Sequence, residues 1–204
     1  MMNMKLVILD RDGTINEDRD DYVKSPEEWQ PLPQALEAIA RLNHAGWHVA
    51  VVTNQSGLGR GLFDVATLNA MHAKMNKLLA AVGGRVDAVF FCPHSPDEAC
   101  GCRKPLPGLF EQIGERYGID LQGVPCVGDS LRDLQAGHAV GCAPHLVLTG
   151  KGEQFRQREL PPTFPASTRV HKDLSGFVDW LLDVSEDGAP AKALSLIHIS
   201  DPTR

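Results

Sequence analysis

The chain has 204 residues, 43% of them hydrophobic and 23% charged, the proportions of one ordinary globular domain with enough apolar mass for its own core. Its 20 Lys and Arg against 26 Asp and Glu leave a formal charge of −6. That balance argues against a protein that coats nucleic acid, and a phosphorylated ligand would have to meet a local basic pocket. No apolar run is long enough to span a bilayer, and the opening MMNMKLVILD lacks the build of a secretory signal. The expected compartment is the cytoplasm, with no membrane or nucleic-acid partner, and the expected state is a monomer.

In chain order, KLVILD (5–10) has the form of a strand buried on both faces. A helix is predicted near 33–45, with Leu36, Ile39 and Ala40 on one face and Gly46 to end it. WHVAVVT (47–53) is the second strand. Asp64 can cap a helix in which Leu68, Met71, Met75, Leu78 and Val82 recur at three- and four-residue steps. VDAVFFC (86–92) is a third strand, followed by a helix carrying Leu109, Phe110, Ile113 and Tyr117. VPCVGD (124–129) and HLVLT (145–149) are further strands around a helix near 131–140, and Leu174, Phe177, Val178, Leu181 and Leu182 mark a last amphipathic helix.

Strands separated by helices predict an α/β fold, a Rossmann-like parallel sheet with helices on both faces. Sites in such sheets lie beyond the carboxyl ends of the strands. The proline-bearing stretch 151–170 is expected to be irregular surface chain. The domain is expected to span 1–188. Residues 189–204 are set apart, because SLIHISDPTR has the look of appended adapter sequence; a genuine β-addition segment is the rival reading.

Four motifs carry the chemistry. Asp10-Arg11-Asp12-Gly13-Thr14 ends the first strand and offers one acid for attack on phosphorus and a neighbour to handle protons, or else an acidic loop that only caps a strand. Thr53-Asn54-Gln55-Ser56-Gly57 ends the second with neutral donors suited to phosphate oxygens, or is an ordinary polar turn. The GLGRG that continues it (57–61) matches neither a Walker loop nor a dinucleotide fingerprint, and its Arg60 could face a substrate. Arg103-Lys104-Pro105 precedes a helix, where a Lys can hold the nucleophilic carboxylate and the phosphate together, or it is a solvated basic turn. Gly128-Asp129-Ser130-Leu131-Arg132-Asp133 offers hard carboxylate ligands for Mg²⁺, or Asp129 only caps the next helix. Whether Asp133 is a ligand or an orienting group stays open.

A second cluster is metal-like. Five cysteines is an odd number, and Cys92, Cys100 and Cys102 crowd together with His94 as C-x-H…C-x-C. Three thiolates and one imidazole make a closed tetrahedral zinc set, so a zinc-stabilised loop is expected just before Arg103-Lys104. Cys126 and Cys142 read as ordinary small residues, and His44, His48, His72, His138, His145 and His171 show no evident partner.

Taken in order, D-x-D-G-T, T-N-Q-S-G, R-K-P and G-D-x-x-x-D resemble the haloacid dehalogenase (HAD) superfamily of phosphatases across roughly residues 4–185. With the zinc loop and C-R-K-P, they resemble its branch acting on heptose bisphosphates; the histidinol-phosphatase branch shares nearly all of them. Ser130 departs from the pattern, since some relatives carry Lys there.

The resemblance implies Asp10 as nucleophile and Asp12 as acid and base. It implies Mg²⁺ on Asp10, the Asp12 backbone carbonyl and Asp129, and phosphate contacts from Thr53, Asn54, Gln55, Ser56, Arg103 and Lys104. It also implies that the acidic segment Asp18, Arg19, Asp20, Asp21 and Tyr22 borders the sugar of a small phosphorylated substrate, in a pathway supplying bacterial surface polysaccharide. On charge alone that segment would be a solvated face. The chain between Asp10 and Thr53 holds only this loop and one helix, so no cap domain is expected. A DNA 3′-phosphatase, or a non-catalytic zinc module, are the more distant readings.

Overall fold

The computed structural model describes residues 4–186. The first strand, β1 (Leu6–Leu9), is buried at every position. It pairs in parallel with β2 (His48–Asn54) on one side and β4 (Pro125–Gly128) on the other. β3 (Ala88–Cys92) adds beyond β2, and β5 (Ala143–Val147) and β6 (Arg169–His171) add beyond β4, giving the order β3-β2-β1-β4-β5-β6. Every pairing is parallel.

The strand period of two explains why β1 reads as an unbroken apolar run. Val7 and Leu9 point into one core with α1 (Ala35–His44), α3 (Val65–Ala81) and α6 (Leu174–Glu186). Leu6 and Ile8 point into the other, with α4 (Gly108–Tyr117) and α5 (Leu131–His138). β2 divides likewise, Val49 and Val51 against Ala50 and Val52. Helices therefore cover both faces, as the sequence predicts, and Asp64 caps α3 by accepting from the Thr67 amide at 2.8 Å.

The chain runs outward from β1 in both directions. The crevice between β1 and β4 is thus the switch point where such sheets bind ligands. No inserted domain covers these strand ends among the described residues.

The stretch 151–170 departs from expectation. It opens within a 3₁₀ segment (Gly150–Phe155) and ends at β6, which continues to His171. β6 has three residues, two of them exposed, so it lacks the apolar run that marks a strand in sequence. Its pairing with β5 makes it, through His145↔Arg169 and Val147↔His171. A contact of 2.9 Å between His145 Nδ1 and His171 Nε2 adds to that seam, giving both histidines partners that the sequence did not reveal. A second addition is α2 (Ser56–Gly59), a single turn inside the T-N-Q-S-G segment. Residues 189–204 lie outside the described part.

Candidate active site

Asp10 is the first residue past β1, and its amide still bonds the Val127 carbonyl of β4 at 2.8 Å. This fixes the Asp10 side chain at the switch point. Lys104 reaches it from the loop between β3 and α4. The Lys104 Nζ donates to Asp10 Oδ1 at 2.8 Å and to the Val52 carbonyl at 2.9 Å, and lies 2.7 Å from Asp133 Oδ1. All three N–H groups are used, and the side chain is 2% exposed.

Asn54 clamps the Lys104 backbone. Its Nδ2 donates to the Lys104 carbonyl at 3.1 Å, and the Lys104 amide donates to its Oδ1 at 3.0 Å. Asn54, expected as a phosphate contact, positions Lys104 and still lines the cleft with its second Nδ2 hydrogen unused among the described residues. Asp133 is held by the capping box of α5, with the Ser130 hydroxyl donating to Oδ2 at 2.8 Å and the Ser130 amide at 3.1 Å. Asp133 is thus an orienting partner of Lys104 in this structure.

Asp129 follows β4 and receives the Lys151 amide on Oδ2 at 2.8 Å. Gly13 packs against the same carboxylate in a left-handed conformation, φ +83°; a Cβ there would run into Asp129 Oδ2, so this position demands glycine. Carboxylate oxygens of Asp10, Asp129 and Asp133 lie within 4.8 Å of one another. Three buried acids against one ammonium leave a local excess of negative charge. Burial, with the Asp133 charge beside it, lifts the Asp10 carboxyl to about 7 despite Lys104. Burial and the charges of Asp10 and Asp133 lift Asp129 to about 9. For Asp133 burial also works against the charge, but Lys104 and the Ser130 donors overcome it and hold the group low. Two crowded carboxylates with raised affinity for protons fit a hard divalent cation, which would replace those protons.

The Asp12 carboxylate lies outside that trio. Its Oδ1 accepts from Arg11 Nε (3.0 Å), Arg11 Nη2 (2.8 Å) and Asn16 Nδ2 (2.8 Å), while Oδ2 accepts only from Gln55 Nε2 at 3.1 Å. Arg11 is fully buried and lies 3.1 Å from His72 Nε2 through Nη1. Burial and the neighbouring guanidinium depress the His72 imidazole to about 4, which keeps it neutral beside Arg11. The same Gln55 amide also donates to Thr53 Oγ1 at 2.8 Å, leaving the Thr53 hydroxyl proton free for a ligand.

These groups line a cleft of about 260 Å³. Asp10, Asp12, Asp18, Arg19, Asp20, Tyr22, Thr53, Asn54, Gln55, Ser56, Arg103, Lys104 and Asp129 all line it. Asp21 does not. It is an exposed acid engaged by Arg19 and Lys24 on the outer side of its loop, because the left-handed Tyr22, φ +68°, turns the chain at that point. Arg60 also lies away from the cleft lining, its guanidinium 6.0 Å from the Tyr22 ring centre. Arg103 Nη1 is a buried donor with no partner among the described residues, which suits an acceptor supplied by a ligand. Ser130, Arg132, Asp133 and Lys151 also line the cleft. The first three sit within a recognised motif, whereas Lys151 follows β5 with no local signal.

Across the loop that presents Lys104, the four soft side chains do converge. Cys92 Sγ and Cys102 Sγ each lie 3.4 Å from His94 Nδ1, and Cys92 Sγ lies 3.8 Å from Cys100 Sγ. Tetrahedral zinc with bonds of about 2.3 Å to sulfur and about 2.0 Å to nitrogen would space sulfurs about 3.8 Å apart and sulfur from nitrogen about 3.5 Å. The donor set fits that ion in type, number and spacing.

Comparison with known proteins agrees with this geometry. The HAD-hydrolase-like family model matches residues 101–176. The chain is 59% identical over 179 residues to the D-glycero-β-D-manno-heptose-1,7-bisphosphate 7-phosphatase of Bordetella bronchiseptica, covering 88% of this chain and 98% of that one. It is 53% identical over 181 residues to the protein of the same name from Pseudomonas aeruginosa, covering 89% and 99%. The crystal structure of the B. bronchiseptica D,D-heptose 1,7-bisphosphate phosphatase, complexed with magnesium and phosphate, superimposes with a TM-score of 0.84 at 58% identity, covering 89% of this chain and 99% of that one. At such identity across nearly the full length of these relatives, carried on a parallel sheet with four strand-end motifs around one cleft, the chain belongs to the HAD-like heptose-bisphosphate phosphatase family.

Proposed function

We propose that the protein is a magnesium-dependent phosphatase that removes the 7-phosphate of D-glycero-β-D-manno-heptose 1,7-bisphosphate through an aspartyl-phosphate, in the supply of heptose for surface polysaccharide. The observation that carries the substrate is the 59% identity to a relative bearing that name over 98% of its length. The chemistry rests on the cleft itself.

Lys104 holds Asp10 Oδ1, and Asp10 Oδ2 has no hydrogen-bond partner among the described residues, so Oδ2 is the oxygen that attacks phosphorus. As that P–O bond forms, the bond from phosphorus to the sugar oxygen breaks, and Asp12 delivers a proton to the departing oxygen. Asp12 then takes a proton from water, whose oxygen attacks the phosphorus and releases inorganic phosphate from Asp10. Asp12 Oδ2, held only by Gln55 among the described residues, is the oxygen that carries the shuttled proton. The Thr53 hydroxyl donates to a phosphoryl oxygen, and Lys104, its three N–H groups held by Asp10, Val52 and Asp133, sets a fixed positive charge beside the phosphoryl group. Such preset electrostatics is most of what phosphoryl transfer asks of a protein. Asp10, Asp129 and the Asp12 backbone carbonyl would hold magnesium, which supplies charge neutralisation for the phosphoryl group when bound.

The Cys92, His94, Cys100 and Cys102 set would hold one structural zinc. Its task is to fix the loop on which Arg103 and Lys104 stand.

The test is phosphorus NMR of the product from heptose 1,7-bisphosphate, alongside turnover of histidinol phosphate. Retention of the anomeric phosphate and poor use of histidinol phosphate are expected. Release of the anomeric phosphate, or faster turnover of histidinol phosphate, would overturn the substrate assignment.

A further inference from the structure

The reacting phosphate is met from β1 and from the β2 side of the sheet, by Asp10, Thr53 and Lys104. Two other cations line the same cleft from the far side of β1. Arg132 stands on the first turn of α5, after β4, and Lys151 on the 3₁₀ segment after β5. Arg132 has no hydrogen-bond or ion-pair partner among the described residues. It lies near enough to Lys151 to oppose that residue's charge. Two cations on one wall of a cleft, close enough to feel each other's charge, suit an anion between them.

The position of Lys151 is tightly determined. Its amide donates to Asp129 Oδ2, the Thr149 hydroxyl donates to the Gly13 carbonyl at 2.7 Å, and Gly150 packs so closely on Asp129 and Gly13 that a Cβ would collide with both. These contacts tie the turn after β5 to the catalytic loop. The Lys151 ammonium is ion-paired at 2.6 Å with Asp18, which belongs to the loop on the opposite lip of the cleft. Lys151 is about half exposed, so this pair is accessible to an incoming ligand. A carboxylate thus occupies one coordination position of a ready-made anion site.

We propose that Lys151 and Arg132 form the subsite that seats the second phosphate of the bisphosphorylated sugar, with Asp18 standing in for that anion while the cleft is free. The proposal rests on the substrate reading above and adds which residues recognise the remote group. The pair holds that phosphate in the bound substrate and in the transition state alike, so these two side chains favour a bisphosphate over a monophosphate through KM.

The experiment compares heptose 1,7-bisphosphate with heptose 7-phosphate as substrates of the wild-type protein, Lys151→Gln, Arg132→Gln and Lys151→Arg. Wild type should prefer the bisphosphate. Lys151→Gln and Arg132→Gln should each raise KM for the bisphosphate roughly tenfold, with kcat little altered and a much smaller rise for the monophosphate. Lys151→Arg should restore most of the preference, because it keeps the charge. Equal losses on both substrates, a fall in kcat without a change in KM, or an unchanged preference would each overturn the subsite. If wild type cleaves neither sugar, the substrate reading and the subsite fall together. If wild type prefers the bisphosphate and both glutamine variants keep that preference, only the subsite falls.

Discussion

Lys104 is the residue on which the most charge depends. It neutralises two acids at once, and no water reaches it to take over if it is lost. Lys104→Met, close in shape but uncharged, should cost about 3–5 kcal/mol of stability near pH 8, the scale for stripping one partner from a buried ion pair. The loss should shrink near pH 5, where Asp10 can take up a proton. Denaturant titration at the two pH values checks both the size and the sign. Asp10→Asn removes the attacking oxygen and should lower kcat by at least about a thousandfold while the fold persists. Wild-type turnover by repurified Asp10→Asn would remove Asp10 from the mechanism. The identities of both residues were legible in the motifs. Their partnership with Asp133 was not, because Asp133 stands on the first turn of α5 and meets Lys104 only when that turn and the loop after β3 share one end of the sheet.

The segment from β3 to α4 acts as one element. Cys92 closes β3, the four soft ligands gather the loop, and Asn54 on β2 clamps Lys104 at its far end. Two restraints on one loop imply two separable losses. Cys100→Ser should abolish stoichiometric zinc by elemental analysis and lower the melting temperature, with activity falling because Lys104 is no longer presented. Full zinc in that variant, or near-zero zinc in fully active wild type, would exclude the metal from this role. Asn54→Ala should leave the zinc content intact yet reduce kcat, since only the Lys104 backbone is released.

The helices and strands around this loop were readable because each carries an apolar stripe or run. The three-residue β6 was not, since neighbouring β5 supplies the hydrogen bonds that define it and two of its three side chains are exposed.

On the scale of the whole molecule, the cleft is a concentrated charge that couples stability to pH and metal. Asp10 at about 7 and Asp129 at about 9 both exceed the ordinary carboxylate value of 3.8. A group raised in the folded state contributes stability below its unfolded value and loses it as pH rises through the folded one. The magnesium-free protein should therefore lose melting temperature from this site between about pH 4 and about pH 9, most steeply below about pH 7 where both acids contribute. Added magnesium should restore it, with a shift that grows as pH rises, because the ion competes with fewer protons. Calorimetry in magnesium-free buffer without chelator, which leaves zinc in place, reads both trends. A magnesium shift that is constant or shrinks with rising pH would contradict the assigned acids.

By itself, the sequence determined the class of this protein. Apolar runs and stripes alternate with fixed periods, so the parallel sheet, its two covered faces and the strand ends that carry Asp10, Thr53 and Asp129 follow from local pattern. Four ligands within eleven positions made the metal loop equally legible, because nearby residues meet through local folding alone. Only the tertiary structure decided which acids share Lys104, that Asn54 serves the backbone of Lys104, and that Asp21 turns away from the cleft. It alone brought Lys151 beside Arg132 and opposite Asp18. Those facts depend on packing between elements far apart in the chain, where a single side chain's direction is set by neighbours that no local pattern names.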